Sequence, residues 1–135
     1  MAIVVDTSAI IAILRNEPEK NRFVDAILAA SPRFMSAVSL QEAGMVIVGR
    51  LADAAAWEPL DALLARLDIE IVAHDAALAR GAREAFLRFG KGRHPAKLNF
   101  ADCAAYALAR ANQLPLLFTG EDFSQSDIVA AVPAS

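Results

Sequence analysis

The chain has 135 residues, a formal net charge of -3 and a hydrophobic share of 56%. This length fits one domain of ordinary size, and the mild acidity argues against a protein that coats nucleic acid without specificity. Its apolar runs stay short of the ~18 residues that a membrane helix needs, so we expect no membrane segment. One cysteine, Cys103, and two histidines, His74 and His94, give neither an intrachain disulfide nor a zinc-site spacing, and they are compatible with a reducing cytoplasm.

The first quarter of the chain alternates between strand-like and helical patterns. The continuous apolar run 2–5 predicts a parallel strand that is covered on both faces, and residues 8–14 predict a short helix after it. Pro18 suits the first turn of a second helix that continues to about residue 30. Residues 34–37 then predict a second short strand.

The middle of the chain repeats this alternation. Residues 39 to about 51 predict a helix that is apolar on most sides, which is typical of a buried helix. Asp53 can cap the next helix, and Pro59 is expected to kink or split it. Residues 69–72 predict a third strand, and residues 75–89 predict a helix that carries several arginines.

The last part of the chain begins with a basic loop at 90–95. Two glycines and a proline in this loop predict that it is exposed and mobile. An alanine-rich helix is predicted at 100–111, a fourth strand at 116–118 and a possible fifth strand, at a sheet edge, at 128–132. Strands that alternate with helices throughout a chain indicate a parallel sheet in a layered α/β fold.

Four acidic residues lie far apart in the chain, each where a predicted strand passes into a helix or a loop. They are Asp6, Glu42, Asp102 and Asp122. Because the crevice of an open α/β sheet lies outside the carboxyl ends of its strands, we expect these side chains to converge. Clustered carboxylates repel each other, and their usual partner is Mg²⁺ or Mn²⁺. The four acids therefore predict a metal centre suited to phosphodiester hydrolysis, where bound metal activates water and neutralises phosphate charge.

Three of these acids also have a purely local interpretation. Asp6 could cap the helix that follows it. Glu42 is the third residue after Ser39, and Asp102 is the third after Asn99, and both spacings are typical of a capping box. The two interpretations are compatible, because a carboxylate that caps a helix with one oxygen keeps the other oxygen for a metal ion.

The fourth acid and the nearby hydroxyls leave similar alternatives open. Asp122 follows Glu121 in a segment with ordinary turn composition, and either acid could face the site. Ser8 and Thr119 lie beside the acids, where they could orient the carboxylates by hydrogen bonds. They could equally be local cap or turn hydroxyls.

Taken together, these segments resemble the PIN-domain family. The resemblance rests on residues 5–9 (VDTSA), 39–42 (SLQE), 98–103 (LNFADC) and 118–123 (FTGEDF). The basic loop at 90–95 (GKGRHP) resembles that of the VapC toxins of bacterial toxin–antitoxin pairs. The similar segments run from the first predicted strand to the last, so the resemblance covers nearly the whole chain.

The resemblance implies a fold and an activity. The expected fold is a three-layer α/β/α PIN domain over residues 1–135, with a central, mostly parallel sheet of four or five strands. The expected activity is that of a Mg²⁺-dependent endoribonuclease, in which Mn²⁺ can substitute. The protein would be a cytoplasmic homodimer without membrane attachment, held inactive by a VapB-type antitoxin.

The resemblance also implies roles for individual residues. Asp6 and Asp102 would bind the metal directly, while Glu42 and Asp122 would position the attacking water or a second ion. A wider set of residues from the same motifs would support the acidic site. That set is Thr7, Ser8, Asn99 and Thr119.

RNA binding should appear as a local basic patch, and residues 80–97 contain six of the thirteen lysines and arginines. Lys91 and Arg93, in the basic loop, are the predicted RNA-binding residues. The alternative is that these side chains only stabilise a helix C-terminus, and that the helix arginines form a solvated face with a pair between Glu84 and Arg88.

Three further alternatives remain open at this point. The apolar residues between Ile10 and Leu14 could form an antitoxin groove or could be plain core. A catalytically silent PIN-like module that binds RNA or protein is the alternative function. A phosphatase with Asp6 as nucleophile usually needs a second acid two residues later, where this chain has Ser8.

Overall fold

A four-stranded, wholly parallel sheet lies at the centre of the protein in a computed structural model, which describes residues 1–49 and 53–133. The strands are β1 (Ile3–Val5), β2 (Arg33–Ser36), β3 (Glu70–Val72) and β4 (Leu116–Leu117), in the spatial order β3-β2-β1-β4. Each neighbouring pair is parallel, and Val4 of β1 lies opposite both Phe34 and Leu116. The predicted α/β class and the predicted strand direction are confirmed.

Helices fill the connections between these strands. They are α1 (Thr7–Leu14), α2 (Lys20–Ala29), α3 (Ala37–Val48), α4 (Glu58–Arg66), α5 (Ala76–Phe89) and α6 (Phe100–Ala111), with short 3₁₀ turns at Ala54–Trp57 and Phe123–Gln125. Within the described part of the chain, none of these helices is long and apolar enough to cross a bilayer.

The side chains of the sheet alternate between two hydrophobic cores. Val5 of β1 packs into a core with residues of α1, α2 and α4, whereas Val4 packs into a second core with residues of α5 and α6. Successive residues of a strand point to opposite faces, so this alternation requires helices on both sides of the sheet. The predicted three-layer arrangement follows from it. Cys103 is buried in the second core, and burial raises the pKa of its thiol to about 11.

Several predicted boundaries change in the structure. The N-terminal cap of α3 is Ser36, whose Oγ accepts a hydrogen bond from the N–H of Val38. The predicted capping box of Ser39 and Glu42 is therefore wrong, because Ser39 already lies within the first turn of the helix and is fully buried. The prediction continued this helix to Leu51, which lies outside the described residues.

The two prolines behave differently. Pro18 lies in the turn before α2, which begins only at Lys20, so it does not occupy the first helical turn as predicted. Pro59 occupies the second position of α4, directly after the 3₁₀ turn Ala54–Trp57, and the predicted split of this region is confirmed. The possible fifth strand at 128–132 is reduced to a single bridge between Leu116 and Ala130, since β4 is too short for a longer ladder.

Asp127 fastens the C-terminal segment to α5 and α6. Its carboxylate accepts hydrogen bonds from the hydroxyl of the buried Tyr106 and, at 3.1 Å, from the guanidinium of Arg88. The Nη2 of Arg110 lies 3.8 Å from the Oδ2 of Asp127. Burial opposes the charged form of Asp127, but these donors hold its pKa below the ordinary value. Burial, together with the neighbouring Asp127, raises the pKa of Tyr106 to about 12.

We expect Asp127→Ala to lower the free energy of unfolding by about 1–3 kcal/mol, because the buried hydroxyl of Tyr106 would lose its partner. Urea denaturation at neutral pH measures this change. The matched control is Asp25→Ala, at an exposed position of α2, for which a change within about 0.5 kcal/mol is expected. Equal stability of the two variants would contradict the assignment of Asp127 as a tether.

Candidate active site

Asp6 lies at the junction of β1 and α1 and is only 3% exposed. Its Oδ2 caps the helix, accepting hydrogen bonds from the backbone N–H of Ser8 at 3.0 Å and from the Ser8 hydroxyl at 2.6 Å. Its Oδ1 is buried and has no hydrogen-bond partner. A buried carboxylate oxygen without a donor is costly, so this atom is suited to a cation.

Ser8 connects Asp6 to the end of β4. The Ser8 hydroxyl donates to Asp6 and accepts a hydrogen bond from the backbone N–H of Thr119 at 3.0 Å. A residue 111 positions away thereby fixes the rotamer of the serine and, through it, the orientation of the Asp6 carboxylate. On the other side, the Thr7 hydroxyl donates to the carbonyl of Ser39 at 2.9 Å, which ties the start of α1 to α3.

Asp102 is held by the predicted capping box at the start of α6. The Asn99 side chain accepts a hydrogen bond from the backbone N–H of Asp102 at 2.9 Å, and Asp102 Oδ2 accepts one from the backbone N–H of Asn99 at 3.0 Å. This capping interpretation is confirmed, as it is for Asp6. In both aspartates the helix cap engages Oδ2, and Oδ1 is available to bind a metal ion.

Three of the four predicted acids, Asp6, Glu42 and Asp102, line a pocket of about 470 Å³ at the carboxyl end of the sheet, which we call the acidic pocket. It is lined by Asp6, Thr7, Ser8, Ile11, Ala12, Arg15, Glu17, Glu19, Glu42, Val46, Asp102 and Thr119. Asp122 lies just outside this lining, at the cap of the last 3₁₀ turn, but its charge acts on Asp102. Its neighbour Glu121 lines an adjacent groove.

Burial and mutual repulsion disturb the titration of two of these acids. Burial raises the pKa of Asp6 to about 6, the hydrogen bonds from Ser8 oppose this rise, and the charges of Asp102 and Glu42 add to it. Burial also raises the pKa of Asp102 to about 6, with further contributions from Glu42 and Asp122. Because burial and neighbouring carboxylates raise these pKa values, a bound cation would stabilise the charged form of both acids.

The acidic pocket matches a divalent metal in its donor chemistry. All of its candidate ligands are carboxylate oxygens, which Mg²⁺ and Mn²⁺ prefer, and the buried Asp6 Oδ1 has no other partner. Within residues 1–49 and 53–133, no three carboxylate, imidazole or thiol groups are gathered closely enough to enclose an ion by themselves. Any ion held here would therefore need water molecules to complete its coordination, as Mg²⁺ commonly does.

Comparison with known proteins agrees with this arrangement. The sequence model of the PIN domain matches residues 3–129. The chain belongs to the PIN-domain family. Relatives of this PIN domain include the "VapC ribonuclease Mb0640" of Mycobacterium bovis, which is 44% identical over 93% of this chain and 95% of its own length. The "Ribonuclease VapC" of Mycolicibacterium smegmatis is 44% identical over 95% of this chain and 98% of its own length.

Solved structures share the fold of this PIN domain. VapC20 of Mycobacterium tuberculosis, described as a toxin that cleaves the sarcin–ricin loop, has a TM-score of 0.70 and 22% identity over 97% of this chain and 99% of its own. VapBC2 of Rickettsia felis, bound to a DNA fragment from its promoter, has a TM-score of 0.75 and 15% identity over 96% of both chains.

The predicted RNA-binding residues of the PIN domain lie outside the acidic pocket. Lys91 and Arg93 are exposed in the loop between α5 and α6 and are not among the residues that line the acidic pocket. A bridge between Gly90 and Leu98 closes this loop, and the ring of His94 packs edge-on against Phe89 at 5.0 Å between centroids. The loop is therefore exposed, as predicted, but it is also tied down by internal contacts.

The proposed antitoxin groove on α1 is mostly core. Ile10 and Ile13 are buried against the sheet, so the core interpretation is correct for both. Ile11 and Leu14 are only partly buried, and Ile11 faces the acidic pocket.

The sequence prediction missed three charged residues of the acidic pocket. Arg15, Glu17 and Glu19 line it from the turn between α1 and α2. Pro18, which interrupts the helical pattern directly after α1, was the available signal that the chain turns back at this point.

Proposed function

We propose that residues 1–135 form a single PIN domain that acts as a metal-dependent endoribonuclease toxin of a toxin–antitoxin pair. The observation that carries this proposal is the buried, unpartnered Oδ1 of Asp6, a residue that lines the acidic pocket together with four other carboxylates. The names of the VapC relatives, at 44% identity over nearly their whole length, support ribonuclease activity. The single, buried Cys103 is consistent with action in the cytoplasm.

In this proposal, Asp6 and Asp102 hold Mg²⁺ through the oxygens that their helix caps leave available. Mg²⁺, or Mn²⁺ in its place, would supply an activated water there and would neutralise charge on the phosphate. Glu42 orients the attacking water, and Asp122 acts on a second ion or on the same water. The water oxygen bonds to phosphorus and loses a proton, the P–O bond to one ribose breaks, and the leaving ribose oxygen takes up a proton.

Ser8, Asn99 and Thr119 have supporting roles in this proposal. Ser8 and Thr119 fix the orientation of the Asp6 carboxylate by engaging Oδ2, which leaves Oδ1 without a hydrogen-bond partner. Asn99 restrains Asp102 through the capping box. Because such neighbours of metal ligands restrict rotamers, their loss should weaken metal affinity without removing the site.

Total cellular RNA tests the activity directly. Purified protein is incubated with this RNA in Mg²⁺ or in EDTA, beside Asp102→Asn, and the new RNA ends are sequenced. Metal-dependent cuts at a few positions, absent from the variant and from the EDTA sample, are expected. Cleavage that continues in EDTA would contradict the metal-dependent mechanism.

The alternative function is a catalytically silent PIN-like module that binds RNA or protein. It retains the fold and the basic loop but needs no metal in the acidic pocket. RNA that is bound but not cut in Mg²⁺, by a preparation free of antitoxin, would favour this alternative.

A VapB-type antitoxin is the proposed partner. VapBC complexes from Rickettsia felis and Salmonella typhimurium share this fold, with TM-scores of 0.75 and 0.73. Inhibition by a cognate antitoxin would be consistent with the toxin role. Copurification of the chain from its own host, followed by mass spectrometry of any small partner, tests this association.

Lys91 and Arg93, which are not in the lining of the acidic pocket, are proposed to bind the RNA backbone and guide it toward that pocket. We expect the double variant Lys91→Ala with Arg93→Ala to weaken RNA binding, and the slope of log affinity against log salt to fall by about 1.4, which is about 0.7 for each lost contact to a single strand. A salt titration of binding to labelled RNA measures both effects. The matched control is Arg80→Ala with Arg83→Ala on α5; an identical change in both double variants would contradict a specific role for the loop.

The surface beside Glu42 is proposed to mediate homodimer formation. A groove of about 500 Å³ between α3 and α6 is lined by five apolar residues and by Gln41, Glu42 and Asn99. Among the apolar residues, Met45 is 63% exposed and Phe100 is 77% exposed. Large apolar side chains exposed together are typical of an interaction surface. We assign this groove, defined by Val38, Met45, Val46 and Phe100, to a second copy of the chain.

We expect Met45→Asp to convert the dimer to a monomer, because the new carboxylate would be buried without a partner at the subunit contact. Analytical ultracentrifugation over a concentration series measures the mass. Leu28→Asp, at a 53% exposed position of α2, is the control and should leave the dimer intact. A wild-type chain that stays monomeric throughout the series would refute this assignment.

A further inference from the structure

One face of α1 forms a wall of the acidic pocket. Its residues Ser8, Ile11, Ala12 and Arg15 all line the pocket, and their spacing of three or four positions places them on one side of the helix. At 1.5 Å per residue, Arg15 lies about 10 Å along the helix from Ser8. Asp6 and Ser8 are thus at one end of this wall and Arg15 is at the other.

The end of α1 is fixed in place by backbone hydrogen bonds. Arg15 is the C-terminal cap, and Asn16 follows it with a φ of 55°. The N–H of Asn16 donates to the carbonyl of Ile13 at 3.2 Å, and the N–H of Glu17 donates to that of Ala12 at 2.9 Å. This pair of bonds is a Schellman motif, which closes the helix and holds Arg15 at the rim of the pocket.

Arg15 carries the one positive charge among the described residues that line the acidic pocket. The acids Glu17 and Glu19 lie close to it in sequence, but neither forms an ion pair with it; the ion pairs within residues 1–49 and 53–133 involve Asp127. The guanidinium is on an exposed residue and has no hydrogen-bond partner among the described residues. Its donors are therefore available to a ligand.

We propose that Arg15 binds a backbone phosphate of single-stranded RNA adjacent to the phosphate that is cleaved. This inference rests on the proposed ribonuclease function and adds a substrate-binding residue to it. A guanidinium recognises phosphate oxygens through two parallel hydrogen bonds, and contacts of this kind set the register of a nucleic acid. The separation from Asp6 and Ser8 along α1 assigns Arg15 to a neighbouring phosphate rather than to the scissile one.

The charge of the pocket explains why such a residue is needed. Carboxylates dominate its lining and repel the RNA backbone, even when a divalent ion neutralises part of their charge. Lys91 and Arg93 do not line the pocket and cannot offset this repulsion at close range. Arg15 provides an attractive contact within the pocket itself, so it should affect substrate binding more than the chemical step.

The test compares Arg15→Gln and Arg15→Lys with Arg66→Gln, a matched control at an exposed arginine of α4 that lines none of the described cavities. Binding is measured against a labelled 20-nucleotide single-stranded RNA of mixed sequence, in Mg²⁺, with Asp102→Asn present in every protein to prevent cleavage. Initial rates on total cellular RNA are then measured with Asp102 intact. Thermal melting shows whether each variant is folded.

We expect Arg15→Gln to lower RNA affinity about tenfold and the salt slope by about 0.7, with a raised KM and a nearly unchanged kcat. Arg15→Lys should restore the salt slope, and Arg66→Gln should behave as the parent protein. Equal binding by Arg15→Gln and Arg66→Gln would overturn the assignment of Arg15 and leave the ribonuclease function intact. Parent protein that binds RNA but never cleaves it would overturn the proposed function, while the binding comparison would still decide the role of Arg15.

Discussion

Asp6→Asn is expected to lower RNA cleavage by more than about a hundredfold while the protein stays folded, because even the outer partners of metal ligands account for 10- to 100-fold effects. Asparagine keeps an oxygen that can accept the two hydrogen bonds from Ser8, so the cap of α1 survives. Its amide nitrogen replaces Oδ1, the buried oxygen without a partner, and cannot bind a cation. Asp102→Asn should have an effect of similar size, since an amide oxygen can preserve the capping box with Asn99.

The cleavage rate of total cellular RNA in Mg²⁺ is the measurement for both variants. Asp25→Asn, an isosteric change at an exposed position of α2, is the control and should cleave as the wild type does. Circular dichroism and thermal melting establish that all three proteins are folded. Wild-type rates in a folded Asp6→Asn protein would remove Asp6 from the active site.

The second large effect concerns the pH dependence of stability without metal. Burial raises the pKa of Asp6 to about 6 from an ordinary value of 3.8, so between these values the folded protein binds more protons than the unfolded chain. The stability that the folded protein gains from protonation of Asp6 is fully present below pH 3.8, and it is lost as the pH rises through about 6. For Asp6, the loss is on the order of 3 kcal/mol, and Asp102 contributes in the same direction.

Urea denaturation in EDTA at pH 5 and pH 8 measures the part of this loss that falls above pH 5, which is about one pKa unit or about 1.4 kcal/mol for Asp6. We expect the wild type to be less stable at pH 8, and Asp6→Asn to show a smaller difference between the two pH values because its side chain does not ionise. Mg²⁺ should stabilise the wild type at pH 8, where the carboxylates are charged, and should have little effect on Asp6→Asn. A wild type that is equally stable at both pH values in EDTA would contradict the raised pKa of Asp6.

The local features of this protein follow closely from short stretches of sequence. The apolar run that became β1, the cap at Asp6 and the capping box of Asn99 and Asp102 were all predicted from neighbouring residues. Such features depend on backbone groups within a few positions, so nearby residue types decide them. The error at Ser39 has the same origin: Ser36 offered a competing cap, and tertiary burial of Ser39 decided between the two serines.

The role of the basic loop remains a prediction. The sequence predicts RNA binding by Lys91 and Arg93 from their charge and from their position before Asn99 in the chain. In the structure, both residues lie outside the lining of the acidic pocket. Arg15 has the same charge and does line the pocket, although it lies far from Asp102 in sequence. Charge alone therefore did not distinguish a side chain at the pocket from one on the open surface.

The sequence by itself determined the parallel α/β architecture and the caps at Asp6 and Asp102, because alternating apolar runs and helix caps are encoded by residues close together in the chain. The prediction that all four acids directly follow strands is wrong: only Asp6 does, whereas Glu42 lies within α3, Asp102 lies in the first turn of α6 after a loop, and Asp122 lies in the turn beyond β4. Only the tertiary structure decided how the acids are held and what surrounds them. The bond from the Thr119 backbone to Ser8, the unpartnered oxygen of Asp6 and the position of Arg15 at the pocket rim all depend on segments that meet only after folding. The raised pKa values have the same physical reason, since burial and the repulsion among distant carboxylates exist only once the sheet has brought them together.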